Sequence, residues 1–367
     1  MGLLRLLLAM SVLLGHAGGI YGLQTVTGGS AILTNGDTAV QSFYVISGFY
    51  MALILSGKYT SAWVFWFSRY MRLAPLYIAI SAATLLVVFT TQGSLRGYDG
   101  ADFRTAVLAA ISNITLIGQD IWMFFAYDVG RQSLVFMPDI LSGGLAGAGE
   151  ALRPGWSFLL IEQGWSIGVE VWFYLLAPFL ITRSIRFMVF FFLLSWTVRL
   201  GLHELLGWQD DPWKYRFFPS ELSNFLLGSI AFRFYERKKL IAPNRVLRWT
   251  LFLTLVALCV AYTHLPGGNT EKRWIFVLLV ALFLPSIFAL TRDWTLDRLV
   301  GELSYPVYLV HILVLLVLPA SVWIGTVCLA LSIAFGLAWN RFVEVRIDDW
   351  RYKTAAKFEG RLANSSG

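Results

Sequence analysis

The sequence predicts an all-α membrane protein that crosses the bilayer about ten times. Hydrophobic residues make up 57% of the 367-residue chain and charged residues only 14%, whereas about a quarter of the residues in soluble domains are charged. Apolar runs close to the length of about 20 residues that a spanning helix needs recur along the whole sequence. Most of the 29 Lys and Arg residues lie in short clusters between these runs, as the positive-inside bias of membrane proteins produces.

The predicted spans follow one another with short connections. They cover roughly residues 3–20, 39–57, 73–91, 165–182, 186–203, 221–236, 249–265, 273–291, 304–322 and 324–343. An eleventh candidate, 104–125, is interrupted by Asn113, Gln119 and Asp120, and we interpret it as a re-entrant or interfacial helix. With both termini in the cytoplasm, most Lys and Arg residues fall on the cytoplasmic side, whereas an eleventh span would move Arg183 and Arg186 outside.

The first segment also has features of a secretory signal peptide, because Arg5 precedes an apolar run that ends in small residues. Cleavage would remove Arg5 and His16 and would place the N-terminus of the remaining chain on the opposite side of the membrane. No good cleavage motif of small residues follows the run. We therefore interpret residues 3–20 as the first span.

The spans define one predicted transmembrane domain, residues 1–343, followed by a short cytoplasmic tail, residues 344–367. The stretch 92–164 is predicted to form an extracytoplasmic loop region. The two Cys lie in apolar runs and the four His are far apart in the sequence, so we expect neither a disulfide framework nor a metal site. The net charge of +7 is explained by the basic clusters between the predicted spans. We therefore expect no nucleic-acid partner.

Ionisable side chains inside apolar segments are costly in a bilayer and are candidates for function. Arg5 and His16 are eleven positions apart, about three helical turns and a rise of about 16 Å, so they share one helix face. His16 is thereby predicted in the outer half of the bilayer. Glu170 is predicted at the same depth, where its carboxylate would orient His16 and make it a better general base. Structural roles for both side chains are the open alternatives.

Two further groups of polar residues lie at predicted helix ends. Arg69 and Arg72 are three positions apart at the cytoplasmic mouth of the third span, so their guanidinium groups share a face that suits phosphates. Topogenic positive charge is the alternative reading. His311 is predicted about two turns above the cytoplasmic end of its helix, where it either faces the same cavity from below or bonds a neighbouring helix. Trp165 and Tyr174 either orient an acceptor or anchor their helix at the interface.

Five motifs follow one another along the chain. They are Arg5-x10-His16, then Phe43-Tyr44-Val45-Ile46-Ser47-Gly48-Phe49, then Arg69-x-x-Arg72-Leu-x-Pro-Leu-Tyr, then Trp165-Ser166-x-x-x-Glu170-x-x-Phe173-Tyr174, and Ser304-Tyr305-x-x-Tyr308-Leu309-x-His311. In this order they resemble the motifs of the acyltransferase family 3, membrane proteins that acylate bacterial surface glycans and some secreted small molecules. The resemblance covers about residues 1–350, although Arg346 stands where the closing motif usually has proline and Val171 stands where many relatives have a second acid.

The resemblance implies an enzyme that transfers an acyl group, usually acetyl, from cytoplasmic acyl-CoA to a hydroxyl of a surface or exported glycan. It implies that Arg5, Arg69 and Arg72 bind the acyl-CoA, and that His16 with Glu170 deprotonates the acceptor or carries the acyl group. We favour direct transfer. The supporting candidates are Ser47, Trp165, Tyr174 and His311. The location implied is the bacterial inner membrane, and we expect no SGNH hydrolase-like domain of the kind that many relatives carry.

Two other functions stay open at this point. A glycan or lipid transporter would use Arg5, His16 and Glu170 to line a proton or substrate path, and it would not depend on acyl-CoA. A membrane-bound acyltransferase of the other large multi-span type is disfavoured, because neither His203 nor His264 matches the mid-chain histidine pattern of that type. The sequence does not indicate the acceptor, the acyl length or the oligomeric state.

Overall fold

The structure is a computed structural model that describes residues 1–24, 30–57, 59, 61–93, 97–146, 149 and 151–365. These residues are mainly helical, and each span predicted from the sequence falls on a helix. The α-helices of the described residues are α1 (Gly2–Ala17), α2 (Gly36–Leu55), α3 (Ala62–Gln92), α4 (Phe103–Thr115), α5 (Gly164–Leu180), α6 (Ile185–Leu206), α7 (Phe218–Glu236), α8 (Arg245–Val260), α9 (Asn269–Thr291), α10 (Thr295–Glu302), α11 (Ser304–Val317), α12 (Ile324–Trp339) and α13 (Val345–Ser365).

Several helical segments have the length and composition of membrane spans. Within the described residues there are six of them: 36–55, 62–91, 185–206, 269–291, 295–317 and 324–358. Helices α1 and α5 are also apolar but shorter, with 16 and 17 residues. A polytopic membrane protein is thus supported, while the count of about ten spans and the cytoplasmic position of both termini stay predictions.

Helix α3 begins at Ala62, earlier than residue 73, where the third span was predicted to start. The prediction was late because Ser68, Arg69 and Arg72 lower the hydropathy of the first turns without ending the helix. Pro75 also lies inside this helix. Arg69 and Arg72 are therefore two to three turns into α3 and do not stand at its beginning.

Contacts divide the chain into two compact units, which we describe separately. Unit 1 comprises residues 1–68, 181–185 and 224–367, and unit 2 comprises residues 69–180 and 186–223. The single transmembrane domain proposed for residues 1–343 stays a prediction.

In unit 1, α1 packs against α2, α10, α11 and α12. Helices α2 and α7 approach each other so closely that a Cβ atom at Gly48 would overlap the carbonyl group of Phe225, and one at Gly228 would overlap that of Val45. The hydroxyl of Ser229 donates a hydrogen bond to the carbonyl of Gly48 at 3.0 Å. Gly48 of the predicted Ser47-Gly48 motif therefore serves close helix contact.

In unit 2, a buried polar network surrounds Asn113 at the end of α4. The amide oxygen of Asn113 accepts hydrogen bonds from the Tyr77 hydroxyl and the Leu160 N–H, both at 3.0 Å. Its amide nitrogen donates to the carbonyls of Ala109 and Phe158, both at 2.9 Å. The polar residues that interrupt the segment 104–125 thus bind inside the protein. Helix α4 itself has 13 residues, about 20 Å, which is too short for a hydrocarbon core of about 30 Å.

A small antiparallel sheet lies in the predicted extracytoplasmic region. Its strands are β1 (Phe125–Asp128), β2 (Ser133–Phe136) and β3 (Leu152–Pro154), in the order β2-β1-β3, with Ala126 opposite both Val135 and Pro154. The all-α prediction did not include these strands. Strands of three or four residues are too short to show a clear alternating pattern in the sequence.

Candidate active site

His16 and His311 form a hydrogen-bonded pair in unit 1. The Nδ1 atom of His16 lies 2.8 Å from Nε2 of His311, and the two rings stack with centroids 5.1 Å apart. His16 belongs to the last turn of α1, which ends where Gly18 adopts a left-handed conformation with φ of 74°. His16 is exposed, whereas His311, on α11, is fully buried. The pair therefore joins an imidazole at the surface of unit 1 to one that is fully buried.

The contact links the tautomers of the two rings. A neutral imidazole has one N–H donor and one bare nitrogen acceptor, so only one of the two facing nitrogens carries the proton. If Nδ1 of His16 is the donor, then Nε2 of His16 is bare and is able to act as a base. His311 in this arrangement accepts the hydrogen bond and fixes the tautomer of His16.

Sequence analysis placed His311 about two turns into its helix, and α11 begins seven positions earlier, at Ser304. Of the two alternatives left open for this side chain, the structure shows a bond to a neighbouring helix, since His311 contacts His16 on α1. The contact itself joins residues 295 positions apart in the chain, and no local pattern indicated it.

Arg5 lies near the beginning of α1, where α1 meets α2 and α10. Its guanidinium carbon is 5.8 Å from the centroid of the Tyr50 ring. In the turn before Arg5, the backbone N–H groups of Gly2 and Leu3 donate to the carboxylate of Asp297, at 2.8 and 3.0 Å, and the Met1 amino group forms an ion pair with the same carboxylate. Asp297 thus satisfies the open N–H groups of α1 from a neighbouring helix. Sequence analysis did not identify Asp297, because nothing in its local pattern marks it as a cap.

Close packing reinforces this end of α1. A Cβ atom at Gly2 would overlap the carbonyl of Asp297, and one at Gly301 would lie 2.7 Å from the Cα of Gly2. The glycines at both positions therefore allow the backbones of α1 and α10 to touch. Since Arg5 and His16 both belong to α1, this contact fixes the position of the helix that carries them.

Glu170 and Tyr174 are hydrogen-bonded neighbours on α5, in unit 2. The Tyr174 hydroxyl donates to Oε1 of Glu170 at 2.6 Å, and the residues are one helical turn apart. The tyrosine is 8% exposed, so it does not serve as a solvent-facing interfacial anchor. Its hydroxyl instead binds the carboxylate of Glu170, the candidate site residue identified from the sequence.

The remaining predicted site residues lie on the expected helices. Arg69 is buried and Arg72 is half-buried on α3, Ser47 is half-buried on α2, and the buried ring of Trp165 lies 4.1 Å from the guanidinium carbon of Arg216. Arg69, Arg72 and Glu170 belong to unit 2, whereas Arg5 and His16 belong to unit 1. A shared site formed by both sets stays a prediction.

Asp120 is a buried carboxyl group that sequence analysis noted only as an interruption of 104–125. The indole N–H of Trp172 donates to its Oδ1 atom at 3.1 Å, and a Cβ atom at Gly168 would lie 3.1 Å from the same oxygen. Burial raises the pKa of Asp120 to about 7. Gly168 and Trp172 are one turn apart on α5, so Asp120 contacts the helix that also carries Glu170.

Comparison with known protein families gives one family match. A family model described as an acyltransferase domain, Acyl_transf_3, matches residues 1–340. The match therefore covers α1 to α12 and ends before α13 begins.

Curated relatives carry names that agree with this family. Proteins named putative O-acetyltransferase from Staphylococcus aureus strains COL, MSSA476 and MRSA252 are each 23% identical over 353 residues, which cover 85% of this chain and 52% of each relative. The chain spans about half the length of the curated relatives it matches. No solved structure matches this chain.

Proposed function

This chain belongs to the acyltransferase family 3, and from that premise we propose that it is a membrane-embedded O-acyltransferase. In the proposed reaction, an acyl group, acetyl in the simplest case, moves from cytoplasmic acyl-CoA to a hydroxyl of a surface or exported glycan. The proposed location is the bacterial inner membrane. The names of the S. aureus relatives support the transfer of an acetyl group to oxygen.

The His16–His311 pair is the observation that carries this proposal. An exposed imidazole at the end of a membrane helix, held at 2.8 Å by a fully buried second imidazole, suits a general base. The hydrogen bond to His311 leaves Nε2 of His16 bare when Nδ1 is the donor. It also remains in place after Nε2 takes up a proton, since the lone pair of His311 then stabilises the imidazolium.

We propose direct transfer, which this arrangement would carry out in two balanced steps. Nε2 of His16 takes the proton of the acceptor hydroxyl while the oxygen attacks the thioester carbonyl carbon, giving a tetrahedral intermediate. The intermediate expels the CoA thiolate, the new ester bond remains on the acceptor, and the imidazolium of His16 returns its proton to the sulfur. A positioned base of this kind typically contributes about 10²–10⁴-fold to the rate.

The charged residues have separate roles in the proposal. Arg5, Arg69 and Arg72 bind the phosphate groups of the acyl-CoA, because guanidinium groups form paired hydrogen bonds with phosphate oxygens. Glu170, held by Tyr174, stabilises the positive charge that develops on His16 during transfer. Acyl-CoA is a substrate in this reaction, and the steps above require no metal.

Acetyl-CoA binding and slow hydrolysis by the purified protein in detergent test the proposal. We expect the wild type to bind and hydrolyse acetyl-CoA, His16→Ala to bind it without turnover, and Arg69→Ala to bind it weakly. The matched control is His203→Ala, which removes an exposed histidine on α6 whose side chain is 48% exposed and should leave both measurements unchanged.

Two outcomes would contradict the proposal. If the folded wild type neither binds nor hydrolyses any acyl-CoA, the donor assignment is wrong, and transport of a glycan or lipid through a His and Glu proton path becomes the better explanation. If His16→Ala retains full turnover while binding is normal, the enzyme class survives but His16 is not the base.

A further inference from the structure

Helix α13 lies beyond residue 340, where the family match ends, yet it packs onto the first turns of α3. The rings of Trp350 and Phe358 on α13 contact the ring of Phe67, with centroid distances of 5.8 and 6.1 Å. Phe67 and the residues of α13 all belong to unit 1. The position of α13 is thus determined by specific contacts just before Arg69 in the chain.

Arg351 is the buried anchor of this contact. Its side chain is 2% exposed, and its Nη2 atom forms an ion pair with Oδ1 of Asp348, one turn earlier, at 2.7 Å. Its Nη1 atom donates to the backbone carbonyl of Ser68 at 3.3 Å. A fully buried arginine is rare and requires such partners, so docking of α13 fixes Ser68 in a defined geometry.

Ser68 connects this anchor to the predicted donor-binding arginines. In an α-helix, the carbonyl of residue 68 accepts the N–H of residue 72, so the carbonyl that Arg351 binds is the one at the start of the turn 68–72. A carbonyl oxygen has two lone pairs and is able to accept both hydrogen bonds. The Ser68 side chain is held as well, because its hydroxyl lies 2.7 Å from the hydroxyl of Tyr59.

We propose that α13 is a positioning element for the acyl-CoA site, with Arg351 as the residue that holds the turn 68–72 of α3. The proposal rests on the proposed function, because it requires Arg69 and Arg72 to bind the donor. Arg351 itself is a positioning residue, since its guanidinium group is engaged with Asp348 and Ser68. Loss of Arg351 should therefore weaken donor binding and leave the chemical step at His16 unchanged.

The full-length protein in detergent allows this to be tested with Arg351→Leu, Arg351→Lys and the control Arg346→Leu. Arg346 is an exposed arginine of the same helix, so the control makes the same chemical change without removing the buried contact. For acetyl-CoA hydrolysis, we expect Arg351→Leu to raise KM about tenfold with kcat within about twofold, because the ion pair with Asp348 and the hydrogen bond to the Ser68 carbonyl are both lost. Arg351→Lys should recover part of the loss, and Arg346→Leu should match the wild type.

Hydrogen–deuterium exchange of the peptide that covers residues 62–72, measured without any ligand, gives a second result that does not depend on catalysis. We expect faster exchange there in Arg351→Leu than in Arg346→Leu. The proposal would be overturned if Arg351→Leu changed neither KM nor the exchange rate. It would also be overturned if kcat fell about tenfold while KM stayed the same. If the wild type itself fails to bind acetyl-CoA, the proposed function fails, and the exchange result alone decides whether α13 holds the turn 68–72. If Arg351→Leu does not fold, the comparison of Arg351→Lys with the wild type decides.

Discussion

His311 in unit 1 and Asn113 in unit 2 are both buried polar side chains, but they differ in the number of their hydrogen-bond partners. In unit 1, His311 is fully buried, and its side chain makes one hydrogen bond among the described residues, to His16. In unit 2, the side chain of Asn113 alone binds Tyr77, Leu160, Phe158 and Ala109. We therefore expect substitutions in the histidine pair to lower the rate of catalysis with little effect on stability. Substitutions in the Asn113 network should instead lower the free energy of unfolding.

The largest effect that would test this comparison is expected at Asn113. Asn113→Leu removes the acceptor of Tyr77 and Leu160 and leaves several buried polar groups without partners, at a cost of about 2–4 kcal/mol in the free energy of unfolding. Thermal unfolding in detergent measures this loss. Gln209→Leu, which removes an exposed amide of the same unit, is the control, and equal melting temperatures for the two variants would contradict the view that the network maintains the fold.

Replacement of His311 tests the other side of the comparison. His311→Ala removes the acceptor of His16 and should lower kcat about 10–50-fold, within the range of general-base effects, while KM for acetyl-CoA and the melting temperature change little. His311→Gln keeps an oxygen that is able to accept from Nδ1 of His16, so it should retain more activity. His264→Ala, at an exposed histidine, serves as control. A collapse of the melting temperature in His311→Ala would show that the pair is structural.

Asp120 makes the stability of unit 2 depend on pH. Burial raises its pKa in the folded protein to about 7, above the value of about 3.9 for an unfolded chain. The protein is therefore most stable below about pH 4. As the pH rises from 4 to 7, its free energy of unfolding falls by at most about 1.4 kcal/mol per pH unit, and above pH 7 this contribution stays constant. The difference in unfolding free energy between wild type and Asp120→Asn isolates this contribution, and a constant difference between pH 4 and 7 would contradict it.

The smallest effect is expected at Tyr174. Tyr174→Phe removes the 2.6 Å hydrogen bond to the half-buried Glu170 but leaves the ring in place. Because only one hydrogen bond is lost, we expect kcat/KM to fall about three- to tenfold. The hydrolysis assay measures the change, with Tyr21→Phe at an exposed tyrosine as control. Activity equal to that of the wild type would show that Glu170 does not depend on this hydroxyl.

The sequence predicted the helices better than it predicted their contacts. Long apolar runs determine where helices form, so each predicted span coincides with one, and errors arose where charged residues lie inside a helix, as at Arg69 in α3. The family motifs selected both His16 and His311 as site residues. Their direct contact was not predictable, because it depends on how α1 packs against α11. Asp297 and Arg351 were missed for the same reason, since each acts on a residue that is distant in the sequence.

The glycine contact between α1 and α10 has a mechanical consequence for the whole site. Gly2 touches Gly301 at one end of α1, and His16 lies fourteen residues away, a lever arm of about 21 Å. A tilt of only about 5° around this pivot would displace the imidazole by about 1.8 Å, enough to stretch the 2.8 Å contact with His311 beyond the range of a hydrogen bond. The close contact at the far end of α1 is therefore one of the features that keep the two imidazoles within hydrogen-bond distance.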